Sequence, residues 1–309
     1  MPDQEDKLGP QEFLGWYLLV RLKQNSQDQI SRSKFLKLCC VADRYLMDEL
    51  NNNIGFPRYW YMYGELANEH EFTERFYNAP SAIGWEGQQY LPKQSVTPDD
   101  FSLTQDELRS IAAAVEWTVT NYGSKPVEDI KKHQYSTDAP NEFIQAYSEL
   151  RWLLRTIDLG TQQRLGAYSE NPETNKDHIL SQLDRMLSVY PNTKQYEEMQ
   201  RLYLRWDDTM RMLIEQSNDY AEIEEFLDDF IESLSKVVLR FAHNNGISSE
   251  RLESWEEERV DIKAAFAGSI KEKRSLLLTN RTQSSELDAV SESYSTVISE
   301  QIEQRLMSD

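Results

Sequence analysis

Between Tyr196 and Leu213 the apolar positions Tyr196, Met199, Tyr203, Trp206, Met210 and Leu213 step by 3, 4, 3, 4 and 3. That heptad spacing lines one seam of a helix over 195–214 and predicts a second helix packed along it. Ile223, Phe226, Phe230, Leu234, Val237 and Phe241 repeat the pattern until "HNNG" ends the next helix. Weaker amphipathic stretches over 249–278 and 284–307 predict two more helices. The C-terminal half therefore reads as an antiparallel helical bundle or a coiled-coil-like arm.

The first half has shorter periodic segments. Helices are predicted over 11–24, where Phe13, Tyr17, Val20 and Leu22 are among the apolar positions, and over 33–51. The polar "NSQDQISRS" connects them. "NNNIGFPRYWYMYGEL" reads as a turn entering an aromatic segment, and "IGWEGQQYLPK" as a small hairpin, the only strand region predicted. Thr104 followed by Glu107 is a capping box that opens a helix ending at Gly123. "PVEDIKKHQY" and "NEFIQAYSELRWLLRTI" give a short and a longer helix. "LGTQQRLGAYSENPETN" is the best boundary, dividing the chain into 1–162 and 163–309. The expected class is mainly α: a helical N-terminal domain with at most a small β-hairpin, then the bundle.

Composition adds one strong constraint. Thirty-three Lys and Arg face 53 Asp and Glu, for a net charge of −20 over 309 residues. A chain so acidic repels phosphate backbones, which disfavours direct nucleic-acid binding. The acids are spread along the whole chain, the halophilic-type pattern of a solvated surface, although an acidic face meeting a basic partner has the same composition. The opening "MPDQEDKLGP" is acidic and the first apolar run stops at Arg21, so neither a secretory leader nor a membrane helix is expected, and the cytoplasm is the expected compartment.

Candidate chemistry is sparse. Cys39 and Cys40 are the only cysteines, and adjacent helical residues point about 100° apart, so both read as small packed hydrophobes and not as a metal or redox pair. Among the histidines, His70 lacks the second histidine of a helical zinc motif, and His243 sits at a helix end, where a cationic imidazole suits the dipole. Acid pairs at Asp207-Asp208 and Asp228-Asp229 leave a metal-dependent nuclease using Asp208 and Asp229 as an alternative. No phosphate-binding glycine loop or nucleophile elbow occurs, so no catalytic residue, metal or cofactor is assigned.

One ordered set of short motifs stands out: "KFLKLCCVADRYL", an asparagine-rich turn with Gly55, "YWYMYGEL", and "VEDIKKHQY" before another helix. Over residues 10–160 this resembles the Panacea, or SocA-like, antitoxin domain. The matching positions are Lys37, Leu38, Ala42 and Asp43; then Tyr61, Tyr63 and Gly64; then Ile130, His133 and Phe143. Glu65 stands where the family has proline, and Cys40 where it has an aromatic residue. The residues 134–138 also depart from the pattern. The resemblance implies a non-enzymatic protein-binding module, an antitoxin or proteolysis adaptor that sequesters a partner such as a toxin from a neighbouring gene.

On this reading the partner buries exposed aromatics such as Trp60 and Trp206, acidic rims select a basic surface, and the seam from Tyr196 to Leu213 serves self-association or a partner helix. A structural subunit of a larger assembly is the remaining alternative.

Overall fold

A computed structural model describes residues 8–25, 30–68, 82–86, 89–163 and 172–306; at 85–86, 89, 158–163, 172–173 and 281–306 it describes the backbone alone. The fold is mainly α with small antiparallel sheets, as the periodicity predicts. Helices α1 (Pro10–Gln24) and α2 (Arg32–Asp48) lead to strands β1 (Arg58–Tyr61) and β2 (Gly64–Ala67). The predicted hairpin forms from β3 (Ile83–Glu86) and β4 (Gln89–Pro92). Helix α3 (Gln105–Tyr122) opens on the Thr104 cap, whose hydroxyl accepts from the Glu107 N–H. Helices α4 (Val127–Thr137), α5 (Glu142–Gln163), α6 (Pro172–Ser188), α7 (Lys194–Gln216), α8 (Tyr220–Leu234) and α9 (Ser249–Leu306) complete the order.

Two expectations about elements are corrected. The aromatic segment after the turn, where no strand is predicted, forms one: "RYWY" pairs with "GELA", from Arg58↔Ala67 to Tyr61↔Gly64. Alternation puts Arg58 and Trp60 in the interior and leaves Tyr59 and Tyr61 half-buried, the period-2 pattern of a strand. Its third strand, β5 (Asn244–Asn245), comes from far along the chain and pairs with Tyr59 and Arg58. The two last helices are one: no glycine or proline interrupts 269–306, and α9 runs unbroken.

Apolar side chains gather in two clusters. One joins α1, α2 and α3 with the β3–β4 hairpin. The other joins α5 to α9 but also takes Trp60, Met62 and Tyr135 from the first half. The division between cores therefore does not fall at residue 162, because α5 packs against α6 and α8. All six seam residues of α7 are buried there: Tyr203 lies between Phe143 and Phe230, and Trp206 stacks on Phe230 at 4.5 Å and donates to the Phe226 carbonyl. The seam's partner helices belong to this chain, which corrects its assignment to self-association or an outside partner.

Beyond Leu234, α8 widens into a π turn over Ser235–Leu239 before a last turn at Arg240–Ala242. That turn delivers β5 to the edge of β1, where the Trp60 N–H donates to the His243 carbonyl at 2.8 Å. Gly246 closes the junction at φ +63°, and a Cβ there would lie 2.1 Å from the Gly55 carbonyl oxygen. Gly246→Ala should therefore cost roughly 1–3 kcal/mol in urea unfolding. Gly268, inside α9, has open space where a Cβ would stand, so Gly268→Ala should add about 0.5–1 kcal/mol in the same measurement.

Candidate functional site

Helix α2 presents two kinds of residue on its inner surfaces. Leu38, Cys39 and Ala42 pack into the first core, and Cys40 is equally buried. Both thiols are free, and burial pushes them above their ordinary range, as expected of packed side chains. Lys37, Asp43 and Arg44 instead meet β1, β2 and α4.

The Lys37 ammonium passes over Gly64. It donates to the carbonyls of Tyr63 at 2.5 Å and Glu65 at 2.7 Å, and to Gln134 Oε1 at 2.9 Å. Gly64 has φ +87°, and a Cβ there would sit 2.7 Å from Gln134 Oε1 and 3.2 Å from Lys37 Nζ. A side chain would have to displace the ammonium, so the glycine is required by conformation and by space. The Tyr135 hydroxyl donates to the Met62 carbonyl on the same turn. Three sequence motifs thus meet within one turn of backbone. Burial lowers the Lys37 pKa to about 7.

Beside this lock lies an ion network. Arg58 Nε donates to Asp43 at 2.5 Å, and the Arg58 guanidinium also bonds the Glu65 carboxylate. Arg44 grips Glu65 with two nitrogens, at 2.5 and 3.1 Å, and reaches Asp48 at 3.4 Å. Glu65 therefore joins the guanidiniums of α2 and β1. Asp43 is raised to about 6 by burial, against the pull of Arg58.

The network floors a cleft of about 930 Å³. Tyr45 and Trp117 form one wall, stacked at 4.3 Å with their planes 16° apart. Trp60 and His243 line the same cleft, and the end of α4 supplies His133 and Asp138. The Asp138 carboxyl is only 10% exposed and has no hydrogen bond among the described residues; its nearest cationic candidate is His133 Nε2 at 3.8 Å. Burial first, with Glu65 and Asp48 adding and Arg44 and Arg58 opposing, pushes Asp138 up to about 7. Burial also lowers both imidazoles. For His243 that corrects the expectation of a cationic helix cap: its Nε2 lies 3.2 Å from the Tyr196 hydroxyl.

The remaining predicted positions lie apart from the cleft floor. Tyr63 is 39% exposed, with Lys131 and Arg151 at 5.4 and 5.7 Å from its ring. Tyr61 is half-buried, its hydroxyl 3.5 Å from Glu232, and burial raises its pKa. Ile130 and Phe143 are core. Trp60 and Trp206 are 1% and 0% exposed, which corrects their assignment as aromatics open to a partner. Asp208 and Asp229 are both exposed, on α7 and α8. Among the described residues no three His, Cys, Asp or Glu side chains group so as to hold a metal ion. His70 lies outside the described residues, and His178 is exposed on α6.

Arg44, Arg58 and Asn244, which line the cleft, are not singled out by motif, and Glu65, Gln134 and Asp138 enter the sequence reading only as departures from the resemblance. Arg58 carries one available signal, a charge on the inward phase of an alternating strand.

No family model, curated protein or solved structure matches this chain. No helix among the described residues is long and apolar enough to cross a membrane.

Two outcomes follow from the buried groups. Lys37→Met leaves two buried acceptors and one part-buried acceptor without their donor and should lower stability by about 3 kcal/mol in urea titration. Asp138, raised from 3.8 to about 7, opposes folding once ionised. Its cost is absent below the unfolded value, grows through that window and is complete above about 7. Asp138→Asn should therefore raise the unfolding midpoint at about pH 8 and leave it unchanged at about pH 4, as read by circular dichroism.

Proposed function

We propose that this chain is a non-enzymatic protein-binding module that works in the cytoplasm as an antitoxin or proteolysis adaptor, sequestering a partner polypeptide. The observation that carries the reading is the cleft over the Arg44–Glu65–Arg58 network. Its ionic floor is internally bonded and its walls come from α2, α3, β1, the end of α4 and β5. A preorganised concave surface of aromatic and charged side chains suits recognition, since little ordering cost accompanies binding. The ionisable groups on the floor are engaged in holding secondary structure together, and none pairs a nucleophile with a base.

The resemblance of the α2, β1–β2 and α4 motifs to the Panacea domain points the same way, with the motif residues supporting the turn beneath the cleft. The overall charge of −20 favours a basic partner by steering encounter.

The test is co-expression of the tagged chain with the product of its neighbouring gene, followed by affinity capture. The expected outcome is a neighbour that arrests growth alone, is neutralised by this chain and is retained with it. Trp117→Ala, at the cleft wall, should weaken retention by roughly 1–3 kcal/mol in binding free energy. A neighbour that is neither toxic alone nor retained overturns the reading.

A further inference from the structure

We infer that the cleft is a seat for a basic side chain of the partner, an arginine received by the Asp138 carboxylate and stacked against Tyr45 and Trp117. The inference rests on the protein-binding reading and names the chemistry that the site would select.

Asp138 is the point of departure. It follows the last turn of α4, where the exposed carbonyls of a helix end already carry partial negative charge, so local physics disfavours a carboxylate. It is also nine-tenths buried, lines the cleft and accepts no hydrogen bond among the described residues. A carboxylate held mostly out of water, with no donor at hydrogen-bond distance among the described residues, is a place where a ligand's cation gains a charge-assisted bond.

The surroundings say what would complete it. Arg44 and Arg58 face Asp138 from α2 and β1, but both are held by Glu65, and further by Asp48 and Asp43 respectively. Against those two guanidiniums the cleft is lined by the carboxylates of Asp48, Glu49, Glu65 and Asp138, so negative charge is in excess. His133 and His243 add imidazoles that burial keeps neutral. Among the described lining residues, both cations are already held by carboxylates other than Asp138.

The aromatic wall favours a planar cation. Trp117 and Tyr45 are half-buried and stacked, and they line the same cleft as Asp138. A guanidinium can lie flat on such a surface while its edge donates to a carboxylate; a lysine ammonium has the charge without the plane.

The test titrates the full chain with acetyl-argininamide while the ring signals of its four histidines are followed by NMR. The His133 and His243 signals should shift saturably, and that of exposed His178 should not. Acetyl-citrullinamide, the neutral isostere, should leave them in place, and acetyl-lysinamide should bind more weakly. Asp138→Asn keeps the side chain's shape and should weaken acetyl-argininamide binding at least about tenfold. Equal shifts with acetyl-citrullinamide, unchanged affinity in Asp138→Asn, or no shift at all overturns the inference. A neighbouring-gene partner retained equally by wild type and Asp138→Asn removes the arginine seat and leaves the protein-binding reading intact. If that partner is not retained while acetyl-argininamide binds at Asp138, the seat stands and the partner assignment falls.

Discussion

The contact on which the site depends is one ammonium resting on one glycine. Lys37 reaches from α2 across Gly64 and ties the turn of the β1–β2 hairpin to Gln134 of α4. The donor is fully buried and its acceptors are two backbone carbonyls and a side-chain amide, so water cannot replace them at low cost. Any side chain at position 64 would occupy the space of the bond itself. Three segments distant in sequence are thereby held in one arrangement, and Glu65, next along the backbone, is aimed at the two guanidiniums.

Those guanidiniums connect the lock to the cleft. Arg58 sits on β1, whose other edge is taken by β5, so the strand is gripped from α2 on one side and from the end of α8 on the other. The π turn over Ser235–Leu239 belongs to this geometry, because it immediately precedes the turn that leads into β5. Trp60, one residue past the positions paired with β5, is buried in the second core and also lines the cleft.

What was legible in the sequence follows from how far each signal reaches. The stripe from Tyr196 to Leu213 depends only on neighbours within one helix, and it predicts α7 and its packed seam; whether the covering helices are in the same chain is not local information, and they are. Thr104 and Glu107 are equally local and mark α3 to the residue. The β1–β2 pair was obscured because "RYWYMYGEL" is aromatic on both phases, so polarity does not alternate, and burial alternates on β1 alone. β5 is two residues of "HNNG", which as a sequence is a helix end and nothing more. Within the site, Lys37, Asp43 and Gly64 stood out through the spacing of their motifs. Glu65 and the 134–138 segment stood out as departures from the same pattern, and they supply the ionic centre, the amide under the ammonium and the Asp138 carboxylate.

The ionic floor and Asp138 bear on specificity under the proposed reading. A chain with 20 excess negative charges attracts cationic surfaces without discrimination, since long-range attraction depends on net charge and is screened within about 8 Å at physiological salt. Selection must then come from short range, where desolvation makes a charge either well paired or costly. Arg44 and Arg58 are already paired, so an acidic intruder at the floor would have to break existing bonds. Asp138 has only the His133 imidazole nearby, at 3.8 Å, so a donor of matching geometry would meet a carboxylate with no hydrogen bond to break. On the proposed reading, the acidity of the whole chain sets how often a basic partner arrives, and one ill-placed aspartate at the end of α4 sets which residue of that partner is retained.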